Sequence, residues 1–160
     1  MLEKTVLLAE DDAGHVALFR RATADSGVEC RLEVVHDGVE VIDFLFATGQ
    51  YKGRDSHDLP DLILLDLKMP KMGGLQVLQV LRRVRGEDHT RFPPVVVLTS
   101  SDLDADVKDA YRFGAQSYIR KPLDYPLFAA AVRETLQYWL GLNRPVPRYR
   151  ASMHCVHNGL

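Results

Sequence analysis

The sequence predicts an α/β protein, a doubly wound parallel sheet with helices on both faces, and three observations predict it. Short apolar runs alternate with stretches of helical periodicity five times along the chain. Two of the runs, Leu62-Ile63-Leu64-Leu65 and Pro94-Val95-Val96-Val97-Leu98, are continuous rather than alternating, as strands buried on both faces should be. Several runs end in residues that carry chemistry: Glu10-Asp11-Asp12 after the first, Asp66 after the third, Thr99-Ser100 at the fourth.

Each element has its own justification. Thr5-Val6-Leu7-Leu8-Ala9 is apolar and β-favouring. His15 to Ser26 carries Val16, Phe19 and Ala22 at helical spacing, with Gly27 as a C-terminal stop. Arg31-Leu32-Glu33-Val34-Val35 alternates polar and apolar, which predicts a half-exposed edge strand. Asp37-Gly38 opens a second helix marked by Val39, Ile42, Leu45 and Phe46, and residues 47 to 60 follow as a long polar connection. Leu75, Leu78 and Leu81 mark the third helix, and Arg82, Arg83 and Arg85 suit the negative end of its dipole. Asp104 to Phe113 makes a fourth, closed by Gly114; Ser117-Tyr118-Ile119 is the last strand. Leu127, Ala131, Val132, Leu136, Trp139 and Leu140 mark the last helix, ending near Gly141. The expected organisation is one domain over residues 1–141 and a flexible tail over 142–160, which holds two prolines, three arginines and no acids.

Bulk composition narrows the function classes. A chain of 160 residues, 46% hydrophobic and 26% charged, is the size of one ordinary domain, which excludes a multidomain enzyme. Twenty basic against twenty-two acidic residues provide no field for nucleic acid or for an anionic membrane. No apolar run reaches the length of a membrane span, and the first residues lack a signal-peptide pattern. Two cysteines cannot make a disulfide framework, so the expected compartment is the cytoplasm.

In an open parallel sheet, ligands bind beyond the carboxyl ends of the strands, near the point where strand order reverses. Glu10, Asp11, Asp66, Thr99 and the Lys121-Pro122 pair after the last strand all fall at that edge. Clustered carboxylates repel, and a hard divalent cation such as Mg²⁺ relieves the repulsion. A carboxylate beside such an ion can attack phosphorus, while a hydroxyl and an ammonium bind the phosphoryl oxygens. Singly, each residue has an ordinary role: Asp12 caps a helix, Thr99 is a loop hydroxyl, Lys121 is solvated. Their joint occurrence at successive strand ends is what points to phosphoryl chemistry.

At these residues the chain resembles the receiver domain of two-component response regulators. Leu7-Leu8-Ala9-Glu10-Asp11-Asp12, Pro60-Asp61-Leu62-Ile63-Leu64-Leu65-Asp66-Leu67-Lys68-Met69-Pro70, Val97-Leu98-Thr99-Ser100 and Lys121-Pro122 match its four signatures, over roughly residues 3 to 140. The resemblance implies a flavodoxin-like sheet of five parallel strands in the order 2-1-3-4-5 with five helices. It implies that Asp66 accepts a phosphoryl group from a sensor histidine kinase. Glu10, Asp11, Asp66 and the backbone carbonyl of Lys68 would hold Mg²⁺. Thr99 would be the switch hydroxyl, Tyr118 the switch aromatic, and Lys121 the phosphate-binding lysine, aimed by a cis peptide before Pro122. The protein would be no enzyme in the ordinary sense, beyond losing its own phosphoryl group.

Three departures stand out. Glu10 replaces the commoner Asp; Gly73-Gly74 stands where Asp-Gly is usual, which should loosen the turn before the third helix; Lys68 places a cation near the pocket mouth, where it should affect the lifetime of the phosphate. More narrowly, the chain resembles the stand-alone regulators that serve bacterial phytochrome kinases, through the missing output domain, the 47–60 insertion and Tyr138-Trp139-Leu140. Such regulators commonly form homodimers, with Tyr138 and Trp139 as candidate surface residues. A phosphorelay intermediate, or the receiver of a non-photoreceptor kinase, is the alternative.

Rival classes fare worse. A phosphatase of the haloacid-dehalogenase type needs a second carboxylate two residues after its nucleophile, where this chain has Lys68. A pseudo-receiver would not need the full acidic set, and no helix-turn-helix follows that would bind DNA. His36, His57 and His89 are expected to be solvated, and His154-Cys155-Val156-His157 offers too few ligands for a metal site.

Overall fold

The computed structural model describes residues 3–147. Their five strands are β1 (Thr5–Ala9), β2 (Arg31–Val35), β3 (Leu62–Leu65), β4 (Val95–Thr99) and β5 (Ser117–Arg120). All pair in parallel, in the order β2-β1-β3-β4-β5, so strand order reverses between β1 and β3. Five α-helices alternate with them: α1 (Ala13–Asp25), α2 (Gly38–Phe46), α3 (Gly74–Arg85), α4 (Asp104–Arg112) and α5 (Tyr125–Gln137). This is the expected doubly wound architecture.

The continuous apolar runs are buried on both faces, as expected: every residue of β3 and β4 is buried. Successive side chains point to opposite faces, and the core divides accordingly. Leu7, Ile63, Leu65 and Val97 pack with Val41, Phe44, Leu78 and Leu81 of α2 and α3 on one side. Val6, Leu8, Leu62, Leu64 and Val96 pack with Phe19 of α1 and Phe128, Val132 and Leu136 of α5 on the other. The edge strand β2 is buried only at Val35, which fits its alternating sequence.

Capping explains most helix starts. Asp12, Asp37 and Asp124 each accept a backbone N–H from the first turn of α1, α2 and α5. Helix α3 starts at Gly73, which has no side chain to offer; its N–H instead donates to Gln76 Oε1 at 3.0 Å. A Cβ on Gly74 would lie 2.3 Å from the Asp66 carbonyl oxygen, so the chain is pressed against the end of β3 where only glycine fits.

Other expectations need correction. Leu127 and Val39 lie on the solvent face of their helices, because the buried stripes run through Phe128, Val132 and Leu136, and through Val41, Phe44 and Leu45. Helix α5 ends its α-helical turns at Gln137, and Tyr138–Leu142 form a wider π turn that lets Trp139 and Leu140 fold onto the α1/α5 core. The long polar 47–60 connection also packs on the core. Its Tyr51 meets the Phe44 ring edge-on at 5.1 Å, and the Arg54 guanidinium covers the same ring at 3.7 Å. Of the 142–160 segment, Arg144 is exposed, whereas Arg148, Arg150 and the His154-Cys155-Val156-His157 cluster lie outside the described residues. Among the described residues, no helix is long and apolar enough to cross a membrane.

Candidate phosphoryl-acceptor site

Parallel pairing delivers the carboxyl ends of β1, β3, β4 and β5 to one edge of the sheet. Ala9 pairs with Leu65 and Thr99 with Arg120, so the next residues, Glu10, Asp66 and Lys121, emerge side by side. Glu10 is 3% exposed, Asp66 7% and Lys121 8%, a set of charges that burial makes costly unless they are paired. They are paired. Lys121 Nζ donates to Asp66 Oδ2 at 3.1 Å and to Glu10 Oε2. The other oxygens are tied to the backbone: Glu10 Oε1 accepts the Asp12 N–H at 3.1 Å, and Asp66 Oδ1 faces the Lys68 N–H at 3.3 Å.

Carboxylate oxygens of Glu10, Asp11 and Asp66 come within 4.8 Å of one another, with Asp11 exposed at the mouth. Three carboxylates against one ammonium leave an excess of negative charge facing solvent, and all the donors are hard oxygens. The set fits a small hard divalent cation.

Ionisation reflects the crowding. Burial pushes the Glu10 carboxyl above its ordinary value, and the adjacent Lys121 only partly offsets it. Burial pushes Asp66 up as well. There the Lys121 charge and the hydrogen bonding around the carboxyl win and hold it below the usual range. Of the two, Asp66 is the one whose surroundings favour the charged form, which is the state a nucleophile needs.

The remaining candidates sit around this core. Thr99 is 1% exposed at the end of β4, and its Oγ1 accepts the Ser101 N–H at 3.4 Å. Tyr118 of β5 is half-buried, and its hydroxyl donates to the Ser101 carbonyl at 2.8 Å. Lys68 is exposed beside the mouth. The Lys121-Pro122 peptide is not cis: every described peptide bond is trans, and Lys121 is aimed by its place at the end of β5 and by its carboxylate partners. Tyr138 and Trp139 lie in the π turn that follows α5; Trp139 is half-buried against the core and Tyr138 is half-exposed.

Two residues that the sequence did not single out also belong here. Ser101 is buried and joins three parts: its N–H reaches Thr99, its carbonyl receives Tyr118, and its hydroxyl donates to Asp106 in the first turn of α4. His15 places Nδ1 3.2 Å from Lys121 Nζ. The available signals were only spacing, two residues past Thr99 and three past Asp12.

Residues 6–133 match the response regulator receiver domain. The chain belongs to that family. Receiver-domain response regulators are typically signalling proteins rather than enzymes. The chain is 37% identical over 139 residues to the probable methanogenesis regulatory protein FilR2 of Methanothrix harundinacea, covering 87% of this chain and 85% of that one. Its structural neighbours include phytochrome response regulators. The phosphorylated cyanobacterial phytochrome response regulator RcpA superposes with a TM-score of 0.79 at 29% identity, over 91% of this chain and 100% of RcpA. The bacteriophytochrome response regulator RtBRR superposes with a TM-score of 0.68 at 38% identity, over 91% of this chain and 86% of RtBRR. The order 2-1-3-4-5 is the flavodoxin-like order of the receiver fold.

Proposed function

We propose that this receiver takes a phosphoryl group from a phosphohistidine of a sensor histidine kinase onto Asp66, in a Mg²⁺-dependent reaction. The observation that carries the proposal is the buried, anionic Asp66 held against Lys121, with Glu10 and Asp11 oxygens within 4.8 Å. Glu10, Asp11, Asp66 and the Lys68 carbonyl would hold the ion, which when bound neutralises the crowded carboxylates and polarises phosphoryl oxygens.

An Asp66 carboxylate oxygen attacks phosphorus in line; the P–N bond to the donor imidazole breaks and its electron pair stays on that nitrogen. Lys121 and Thr99 donate hydrogen bonds to phosphoryl oxygens as their charge builds. Thr99 then turns away from the Ser101 N–H, the Ser101 carbonyl shifts, and Tyr118 gives up its bond and rotates inward. The surface of α4, β5 and α5 carries the change. Slow hydrolysis of the acyl phosphate resets the site. The exposed Lys68 ammonium beside the mouth would set its rate, which Lys68→Met would alter.

The likeness to RcpA and RtBRR supports a phytochrome-type kinase as partner. The likeness to FilR2, a probable regulator of methanogenesis, favours the second reading, a kinase without a photoreceptor; a place within a phosphorelay is the other alternative. Output would pass through protein contacts in the cytoplasm rather than through nucleic acid or membrane. A homodimer would form along α4, β5 and α5, with residues 1–141 as the receiver and 142–160 as a tail. Tyr138 is the better placed of the two aromatic candidates, since Trp139 packs inward.

Transfer of labelled phosphate from each autophosphorylated histidine kinase of the host tests the reading. Rapid transfer from a photoreceptor kinase to the wild type, and none to Asp66→Asn, is the expected result. Equal transfer to both proteins would overturn the assignment, and preference for another kinase would overturn the phytochrome reading alone.

A further inference from the structure

An ammonium has three protons and no lone pair, and the buried Lys121 needs three acceptors. Two are carboxylates, Glu10 and Asp66 Oδ2. The third is an imidazole: His15 Nδ1 lies 3.2 Å from Lys121 Nζ. Its location is determined by the start of α1, where Asp12 Oδ1 accepts the His15 N–H at 2.9 Å. The same ring nitrogen stands 3.6 Å from Glu10 Oε1, the oxygen that also accepts the Asp12 N–H. Glu10, Asp12, His15 and Lys121 therefore form one closed set of contacts beside the start of α1.

We propose that His15 is a positioning residue for phosphoryl transfer: its Nδ1 lone pair takes the third Lys121 proton and fixes the direction in which the ammonium faces Asp66. A neutral ring has one donor and one acceptor nitrogen. Only the tautomer protonated on Nε2 offers a lone pair to Lys121; the other sets an N–H against an ammonium proton. With Glu10 and His15 each holding one proton, Nζ cannot turn about its terminal bond without losing a partner. The proton aimed at Asp66 Oδ2 is then the one delivered to an incoming phosphoryl oxygen, while the other two stay in place. An apolar residue at position 15 leaves one ammonium proton unmatched and the direction of the other two unset.

The inference rests on Asp66 as phosphoacceptor, but its first test does not. Long-range ¹H–¹⁵N spectra of the full chain in Mg²⁺ buffer, at a pH where the ring is neutral, report the tautomer. His15 is assigned among the six histidines by its loss in His15→Gln. The Nε2–H form is expected, and the Nδ1–H form overturns the proposal.

The second test is phosphoryl uptake from acetyl phosphate at saturating Mg²⁺. His15→Leu should slow it about fivefold, the scale of one charge-assisted hydrogen bond in part lost, and His15→Gln, whose amide oxygen accepts, should restore it. Uptake by His15→Leu at the wild-type rate overturns the proposal, as does failure of His15→Gln to recover while Mg²⁺ affinity is unchanged. Should His15→Leu fail to fold, the tautomer decides. A wild type that takes up no phosphoryl group would instead remove the Asp66 reading.

Discussion

The two walls of the pocket are built differently. On the α1 side, Glu10 and Lys121 are buried charges locked by mutual hydrogen bonds, and the flanking helices α1 and α5 both start at an aspartate cap. On the α4 side, Thr99, Ser101 and Tyr118 are joined by neutral hydrogen bonds, the Thr99–Ser101 contact is long at 3.4 Å, and α4 starts at Leu103, which has no side chain to cap it. The first wall keeps its groups in place before any ligand arrives. The second is held by contacts each worth about 1 kcal/mol, small enough for one new phosphoryl group to reverse. The contacts around Asp66 thus fall into a strong charged group and a weaker neutral one.

The largest effect should come from breaking the charged wall. Lys121→Ala leaves two buried carboxylates facing each other, and in metal-free buffer at neutral pH it should cost about 3–5 kcal/mol in urea unfolding. A loss below 1 kcal/mol would mean that the wall is solvated rather than locked.

Gly74→Ala attacks the floor between the walls. Its Cβ would press on the Asp66 carbonyl, and the required backbone shift should cost about 1–3 kcal/mol and slow phosphoryl uptake. Unchanged stability would show that the turn can yield.

Acidity sharpens the comparison further. The Glu10 carboxyl is raised from its ordinary 4.5, so its contribution to stability is complete below that value and is lost as pH rises through its folded value. Asp66 is depressed from 3.8, so its contribution is present above that value and lost as pH falls through its folded value. Glu10→Gln removes the first term. In metal-free protein, its stability relative to the wild type should therefore rise from below pH 4.5 toward neutrality, as read by urea midpoints across that range. A flat difference would contradict the burial argument.

The neutral wall should respond least in stability. Ser101→Ala removes the bond to the half-buried Asp106 carboxylate and should cost about 1.5 kcal/mol, the low end for a bond to a charged group. Its main effect should be on the Tyr118 side-chain signals, which should then differ less between unphosphorylated and phosphorylated protein. Full retention of that difference would exclude Ser101 as the link to α4.

Much of this was legible in the sequence, for physical reasons. Continuous apolar runs report strands covered on both faces, and the residue closing each run falls at the sheet's carboxyl edge wherever parallel pairing is in register. That is why Glu10, Asp11, Asp66, Thr99 and Lys121 could be gathered before any coordinates. What spacing does not encode is lateral contact between elements. His15 sits on α1 and Lys121 just past β5, more than a hundred residues apart, and nothing in either local pattern announces that they touch. Helix faces slipped for a related reason: Leu127 fits the periodicity of α5, yet the stripe through Phe128 faces the core. Gly74 shows in the sequence only as a missing side chain, not as the carbonyl that needs its absence.

The central claim is that Asp66, between a fixed wall and a movable one, takes a phosphoryl group with Mg²⁺. Intact-mass spectrometry after incubation with acetyl phosphate tests it most directly. One added phosphoryl group is expected on the wild type with Mg²⁺, with none after chelation and none on Asp66→Asn. An unmodified wild type, or an addition that survives in Asp66→Asn, would contradict it.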